Sequence, residues 1–321
     1  MLTAKTSRNR SRVGTSLLII VMVFGLVVLA GCGRADNAGG PQGMPVEGFP
    51  QLTSHLVEVD GLVWHYVEGG QGEPIVFLHG LPESWFSWHY QLTDLMADYR
   101  VISLDLKGYG QSDKRDGDYT AANIAKEVLA LLDFIGLDRF NIVSHDWGTS
   151  VSDNIAGNNP DRVMRFVRME SPVHRIDTAN HPQFALFQNQ QTATAMMMNA
   201  DDFVRGIYSR MTVQTVPEED LVRIVREFSR PGVAQAVPRY FRDMGGSRQT
   251  FEERLALFAA MDLPVLLLQA DSDPNQPAWY FDGATDIFPN AELQWIENSG
   301  HFSELEQPEA VTEAIREFIA R

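Results

Sequence analysis

From residue 55 onward, short β-branched or apolar runs alternate with segments of helical period, and this alternation restricts the fold more than any other property of the chain. "HLVEVDG", "LVWHYVEGG", "PIVFLHG", "RVISLDLKG", "FNIVSHD", "VMRFVRMES", "LPVLLLQAD" and "AELQWIENSG" read as eight strands. Between them lie stretches such as "AANIAKEVLALLDFIG", whose Ile124, Val128, Leu131, Leu132 and Ile135 share one helical face. Strands and helices in alternation pack as a mostly parallel sheet covered on both faces, with ligands at the carboxyl ends of the strands. From 173 to 250 the strand signal stops and helix-like segments take over, so a helical cap inserted after the sixth strand is expected. The predicted α/β core then runs over 51–172, is interrupted by the cap at 173–250, and resumes over 251–321. Met196, Met197 and Met198 are read as cap core, because methionine fills irregular apolar space.

The first 50 residues follow a different pattern. Lys5, Arg8, Arg10 and Arg12 precede an apolar run of 14 residues, Leu17 to Ala30, too short to span a bilayer comfortably and of signal-peptide length. Leu29-Ala30-Gly31-Cys32 resembles the lipobox of bacterial lipoproteins, in which the cysteine is lipidated and becomes the mature N-terminus. That resemblance implies a lipoprotein signal peptide over 1–31 and a protein exported to the bacterial cell envelope, anchored to the membrane through acyl chains on Cys32. Residues 32–50, rich in Gly, Pro, Asn and Asp, read as a flexible tether. Cys32 is the only cysteine, which leaves no internal disulfide, zinc-thiolate site or cysteine nucleophile. Four of the 26 basic residues lie in the leader, so its removal leaves 22 against 42 acids, a formal charge of −20. Such a surface disfavours nucleic acid and anionic headgroups as partners.

Three motifs carry the chemistry. Ser144-His145-Asp146-Trp147-Gly148 keeps the frame of a nucleophile elbow, G-x-S-x-G, with an acid at the tip where serine is usual. His79-Gly80-Leu81-Pro82 follows a predicted strand and matches the loop that supplies one backbone donor of an oxyanion hole, with His79 and Pro82 bordering the substrate. The donors would be the N–H groups of Leu81 and of Trp147, just after the tip. In "ENSGHFSELEQPEAV", His301 follows the last strand, where a general base could reach the elbow; His55, His65 and His89 read as surface or packing residues, and His145 lies under the turn. "GYGQSDK", 108 to 114, reads as a strand-end turn without a cofactor role, since no capped helix opens after its glycines.

Together these stretches resemble the α/β-hydrolase superfamily over 52 to 321, and "HGLPESWFSWHYQ", "SHDWG" and "GHFSELEQPE" resemble its epoxide hydrolases, with haloalkane dehalogenases as close relatives. The leader, "HYVEGGQG" and "MESP" are similar to those of secreted bacterial epoxide hydrolases. The chemistry of the tip agrees. Serine attacking a saturated carbon would leave an ether that water cannot readily release, whereas a carboxylate leaves an ester that a His301-activated water can hydrolyse. The expected substrate is a small apolar electrophile with water as cosubstrate, and neither a metal nor an organic cofactor is required.

Two acids are candidates to orient His301. By resemblance, Asp273 in "QADSDP" matches the usual epoxide-hydrolase position, and Glu170 in "FVRMESP" the position used by dehalogenases and the secreted subgroup. A glutamate closing an apolar strand is costly unless paired, an argument that favours Glu170. Epoxide hydrolases resemble one another in two cap tyrosines that bond the epoxide oxygen, and here the pattern departs: Gln183 stands at the first place, and Phe241 at the second, with Tyr240 one residue early. Gln183 and Tyr240 are nonetheless the candidate substrate contacts on the cap. Epoxide hydrolysis to a diol is the leading reading. Haloalkane dehalogenation uses the same nucleophile, with the Trp147 indole on the leaving halide, but 173–250 holds no tryptophan to serve as a second halide donor. A lipid-tethered binder without turnover is the third reading, and a pure binder has no use for Asp146, His301 and the oxyanion loop together.

Overall fold

The computed structural model describes residues 43–173, 182–243 and 251–321, the side chains of 182–184 excepted, so the leader and Cys32 lie outside the described residues. Its sheet contains β1 (Met44–Val46), β2 (Phe49–Val59), β3 (Leu62–Gly69), β4 (Pro74–Leu78), β5 (Arg100–Leu104), β6 (Phe140–His145), β7 (Val163–Met169), β8 (Val265–Ala270) and β9 (Ala291–Ile296). They are ordered β1-β2-β3-β5-β4-β6-β7-β8-β9. The first three and the β3–β5 pair are antiparallel, and every pairing from β5 through β4 to β9 is parallel. β6 and β8 are buried at every residue, as strands covered on both faces must be.

All eight strands expected from the sequence are present, and β1 makes a ninth. Met44, Pro45 and Val46 pair with β2 inside the segment expected to be tether, and β2 itself begins at Phe49. Three residues are too few to show alternation, and Pro45 is tolerated because β1 is an edge strand, where a missing N–H has a solvent-facing side available.

Helices α1 (His89–Leu95), α2 (Ala121–Phe134) and α3 (Asp146–Asn158) follow strands β4, β5 and β6. The Thr120 side chain accepts from Asn123 N–H at the start of α2, which then buries Ile124, Val128, Leu131 and Leu132 on one stripe. After β7 come the cap helices α4 (Pro182–Gln188), α5 (Gln190–Met197), α6 (Ala200–Met211), α7 (Glu218–Phe228), α8 (Val233–Ala236) and α9 (Pro238–Asp243). The chain returns to the core with α10 (Phe251–Ala260), packed on α3, and ends with α11 (Ser303–Glu306) and α12 (Pro308–Ile319), the latter packed on α1. Of the three methionines expected in the cap core only Met197 is buried; Met196 and Met198 are exposed. Consecutive helical residues point about 100° apart, so one of three can face inward.

Candidate active site

β6 ends at His145, and the chain turns into α3 with Asp146 at φ +47°, a left-handed conformation that a residue with a side chain seldom adopts. Small neighbours make this turn possible. A Cβ on Gly148 would lie 2.5 Å from the carbonyl oxygen of Leu78 and 2.6 Å from that of His79, and one on Gly80 would lie 2.4 Å from Asp146 Cβ. The turn lifts the Asp146 carboxylate out of the sheet into a cavity of about 310 Å³ whose walls come from the strand ends and from the cap.

The two carboxylate oxygens have different surroundings. Oδ1 accepts from the Leu81 N–H at 3.0 Å, while Oδ2 lies 3.7 Å from His301 Nε2. His301 Nδ1 is in turn 2.7 Å from Asp273 Oδ2, and Asp273 is fixed by its Oδ1, which accepts the Asn275 N–H at 2.6 Å. Burial alone would depress the pKa of His301, but the carboxylates of Asp273 and Asp146 hold it well above its ordinary value. Burial alone would raise Asp146, yet His301, His145 and the Leu81 N–H hold it below the usual carboxylate range. At rest the tip is therefore an ionised carboxylate facing an imidazolium, in a site with Trp147 on its wall.

A chain of this topology with an acid at the elbow invites comparison with known proteins. The pattern of the family described as alpha/beta hydrolase fold matches residues 73–308. The chain belongs to that family. It is 28% identical over 288 residues to a soluble epoxide hydrolase of Corynebacterium sp. (strain C12), spanning 84% of this chain and 98% of that one. To a haloalkane dehalogenase of Agrobacterium fabrum (strain C58 / ATCC 33970) it is 29% identical over 272 residues, 81% and 90% of the two chains. Among solved structures, the epoxide hydrolase CorEH without ligand matches with a TM-score of 0.74 at 25% identity, covering 84% of this chain and 99% of that chain.

In this alpha/beta hydrolase the expectation favouring Glu170 as the partner of His301 does not hold, because Asp273 occupies that place. Glu170 Oε1 accepts from Ala270 N–H at 3.0 Å and from the Ser303 hydroxyl at 2.9 Å, and its Oε2 lies 3.8 Å from His145 Nε2. The desolvation argument correctly required partners for a buried glutamate, but backbone and hydroxyl donors supply them. Burial pushes its carboxyl up to about 8, so at neutral pH it is mostly the uncharged acid.

Three expected substrate contacts also face elsewhere. His79 donates from Nδ1 to the Gly80 carbonyl at 2.9 Å and accepts the Leu106 N–H on Nε2 at 3.0 Å, so both nitrogens hold the loop from His79 to Pro82 in place. Pro82 is buried outside the cavity lining, whereas Leu81 lines it. Tyr240 is buried with its hydroxyl donating to the Lys107 carbonyl at 2.7 Å, and Phe241 takes the wall position, as the one-residue helical offset requires. Gln183 belongs to α4, with its side chain outside the described residues. His55, His65 and His89 are buried beside Glu68, Asp105 and Asp220 rather than at the surface.

His145, which in the sequence reads only as a residue under the turn, has a larger part in the site. Its Nδ1 lies 2.9 Å from Glu83 Oε2 and its Nε2 2.7 Å from the backbone oxygen of His301. Facing two acceptors, the ring donates from both nitrogens and is an imidazolium; burial opposes that charge, but the Glu83 carboxylate raises the pKa above its ordinary value. Burial likewise opposes ionisation of Glu83, yet His145 holds it down to about 2. Glu83 Oε2 also accepts the Gly80 N–H at 2.7 Å, so one buried ion pair ties the loop from His79 to Pro82, the elbow and the loop of His301 together. Next to it, burial and the charge of Glu83 keep Glu304 protonated well above the usual range. Among the described residues, Glu83, His145 and Glu304 are the one group whose ligand atoms converge as a metal would need, within 4.8 Å, but with both ring nitrogens donating, His145 has no lone pair for an ion. Their signal in the sequence was a glutamate three residues after Gly80 and a histidine next to the tip.

Proposed function

We propose that this protein is an epoxide hydrolase that works through an aspartyl-ester intermediate. The observation that carries the proposal is the Asp146 carboxylate at the elbow tip, with Oδ1 on the Leu81 N–H and Oδ2 toward His301. Oδ2 attacks a saturated ring carbon as the C–O bond of the oxirane breaks, which leaves an ester and an alkoxide. Among the described lining residues, Trp147, Arg210, Asn275 and His301 carry the N–H donors available to that alkoxide. The alkoxide takes the Nε2 proton of the His301 imidazolium, which is held less firmly once esterification removes the Asp146 charge, and this leaves a neutral imidazole able to act as base. Nε2 then takes a proton from water as its oxygen adds to Asp146 Cγ. The charge that develops on Oδ1 is held by the Leu81 N–H, with the Trp147 N–H as second donor, before the diol leaves.

The kinship to an epoxide hydrolase over nearly its whole length supports this reading. Dehalogenation shares the nucleophile, and the likeness to the Agrobacterium haloalkane dehalogenase keeps it as the second reading. Incubating a His301→Gln variant with epoxides and with haloalkanes separates them by mass: an adduct on Asp146 from epoxides alone is expected, an adduct from haloalkanes with halide release would favour the second, and no adduct from either would leave a non-catalytic binder. The basic-apolar leader ending in Leu-Ala-Gly-Cys supports export and anchoring in the cell envelope through Cys32. In that case Cys32→Ser moves the protein from the membrane fraction to the soluble one, and unchanged fractionation would contradict it.

A further inference from the structure

The chemistry proposed for Asp146 leaves unused a second acid–histidine pair, on the antiparallel side of the sheet. His65 on β3 is buried, with Nδ1 2.7 Å from Oδ2 of Asp105, which follows β5, and Nε2 2.9 Å from Ser54 Oγ on β2. We propose that Ser54 is a second nucleophile of this protein, with His65 as its base and Asp105 orienting that base, and that it takes small carboxylic esters. None of the three lines the described cavity, so the site is separate from that of Asp146.

Strand register brings these groups together. β2 and β3 pair Leu56 with His65 and Ser54 with Val67, so Ser54 and His65 are diagonal neighbours on one face. The Asp105 N–H donates to the His65 carbonyl at 3.0 Å and the His65 N–H to Ser112 Oγ at 2.9 Å, which fixes the backbone on both sides. Asp105 Oδ1 accepts the Trp85 N–H at 3.0 Å and Oδ2 the Gln111 N–H at 2.8 Å. Burial opposes its ionisation, but His65, His79 and the Trp85 N–H hold the carboxyl well below the usual carboxylate range. The ionised acid draws the ring proton to Nδ1 and leaves the Nε2 lone pair toward Ser54. The Gln111 amide nitrogen, 3.0 Å from Nε2, could satisfy that lone pair alone, so Ser54 is not needed there as a donor. Ser54 and Gln111 are half-buried, whereas His65 and Asp105 are enclosed, so solvent reaches the nucleophile and not the pair behind it. In the reaction Ser54 Oγ bonds to the ester carbonyl carbon while Nε2 takes the hydroxyl proton and the carbonyl pair moves onto its oxygen. Protonated Nε2 no longer accepts from Gln111, whose N–H is then free for the oxyanion. Collapse breaks the ester C–O bond, the alcohol leaves with the Nε2 proton, and water repeats the sequence to release the acid and restore Ser54.

On the competing account His65 only ties β3 to the turn after β5, and Ser54 is an ordinary hydroxyl. Diisopropyl fluorophosphate separates the two on the full chain: an activated serine oxygen bonds to its phosphorus, the P–F bond breaks, and fluoride leaves with the Nε2 proton. Peptide mass mapping of the wild type is expected to find the adduct on Ser54, formed at least about a hundredfold faster than on any other serine, the scale of general-base help. With Asp146→Asn present to silence the epoxide site, adding Ser54→Ala should slow p-nitrophenyl acetate hydrolysis by about the same factor. Ser54→Ala alone should keep kcat for an epoxide within about twofold. Ser54 left unlabelled or labelled no faster than other serines, or acetate hydrolysis at equal rates with and without Ser54, overturns the inference and leaves the Asp146 chemistry standing.

Discussion

Replacing the two acids near His301 in turn gives opposite outcomes that the geometry fixes in advance. In Asp273→Asn the 2.7 Å contact between Asp273 Oδ2 and His301 Nδ1 loses its charge, and a charge-assisted hydrogen bond of this kind stabilises the imidazolium by about 1.5–3 kcal/mol. The amide can also turn its NH₂ toward Nδ1, which would place the imidazole proton on Nε2, the nitrogen that must accept one from water. Loss of both effects in an acid–histidine pair slows the base-dependent step by roughly a thousand- to ten-thousandfold. Glu170→Gln is the contrasting change. With its carboxyl pushed up to about 8, Glu170 is mostly neutral at pH 7, and the glutamine oxygen can keep the bonds from Ala270 N–H and the Ser303 hydroxyl, so turnover should change by less than about threefold. Rapid mixing with a chromogenic epoxide, followed by intact-protein mass spectrometry, separates alkylation from hydrolysis. Asp273→Asn should still form the Asp146 ester and accumulate it, while Glu170→Gln turns over with little ester present. The opposite pattern, accumulation in Glu170→Gln and steady turnover in Asp273→Asn, would refute the assignment of Asp273.

Glu170 also predicts a pH dependence of stability. Its carboxyl is raised from 4.5 to about 8 in the folded protein, so the folded state holds a proton that the unfolded chain has released; the stability it contributes is complete below pH 4.5 and lost as pH rises toward about 8. The loss is of order 5 kcal/mol at ~1.4 kcal/mol per pH unit, and urea midpoints measured across that range should fall in the wild type but not in Glu170→Gln; parallel curves would show that Glu170 is not the proton carrier. His145→Leu leaves the Glu83 carboxylate buried without its cation and should cost about 3–5 kcal/mol in urea unfolding, part of it recovered when Glu83→Gln is added; equal stability of the single variant and the wild type would disprove the ion pair. Tyr240→Phe deletes the bond to the Lys107 carbonyl and should cost about 1 kcal/mol of stability with kcat for an epoxide changed less than threefold, whereas a collapse of kcat would return Tyr240 to the reaction as its acid.

What was legible in the sequence followed from short-range rules. Strand alternation, the period of α2 and the small residues around Asp146 each depend on a few neighbours along the chain, and the structure shows why the last must be small: the Leu78 and His79 carbonyls leave no room for a side chain at Gly148. The partner of His301 was a different kind of problem. Asp273 and Glu170 follow adjacent strands, β8 and β7, so both carboxyls arrive at the same end of the sheet, 28 and 131 residues before His301 in the chain. Local cost could not distinguish them, since it states that a buried glutamate needs donors without stating which. The choice depends on two loops fixed far apart in sequence: Ser303 reaches back to Glu170, and the Asn275 N–H turns Asp273 toward the ring. The ion pair of His145 was not legible for a related reason. A histidine under the elbow looks like packing until Glu83 and the His301 carbonyl arrive from two other segments and give both nitrogens an acceptor. The buried charge then acts on both sides of the reaction: it lowers the pKa of Asp146 from one position away and grips the backbone of the residue that must activate water. Nucleophile and base are thereby held in register by a residue that lines neither the cavity nor the substrate path, which is why its removal should weaken the whole strand-end assembly rather than a single step.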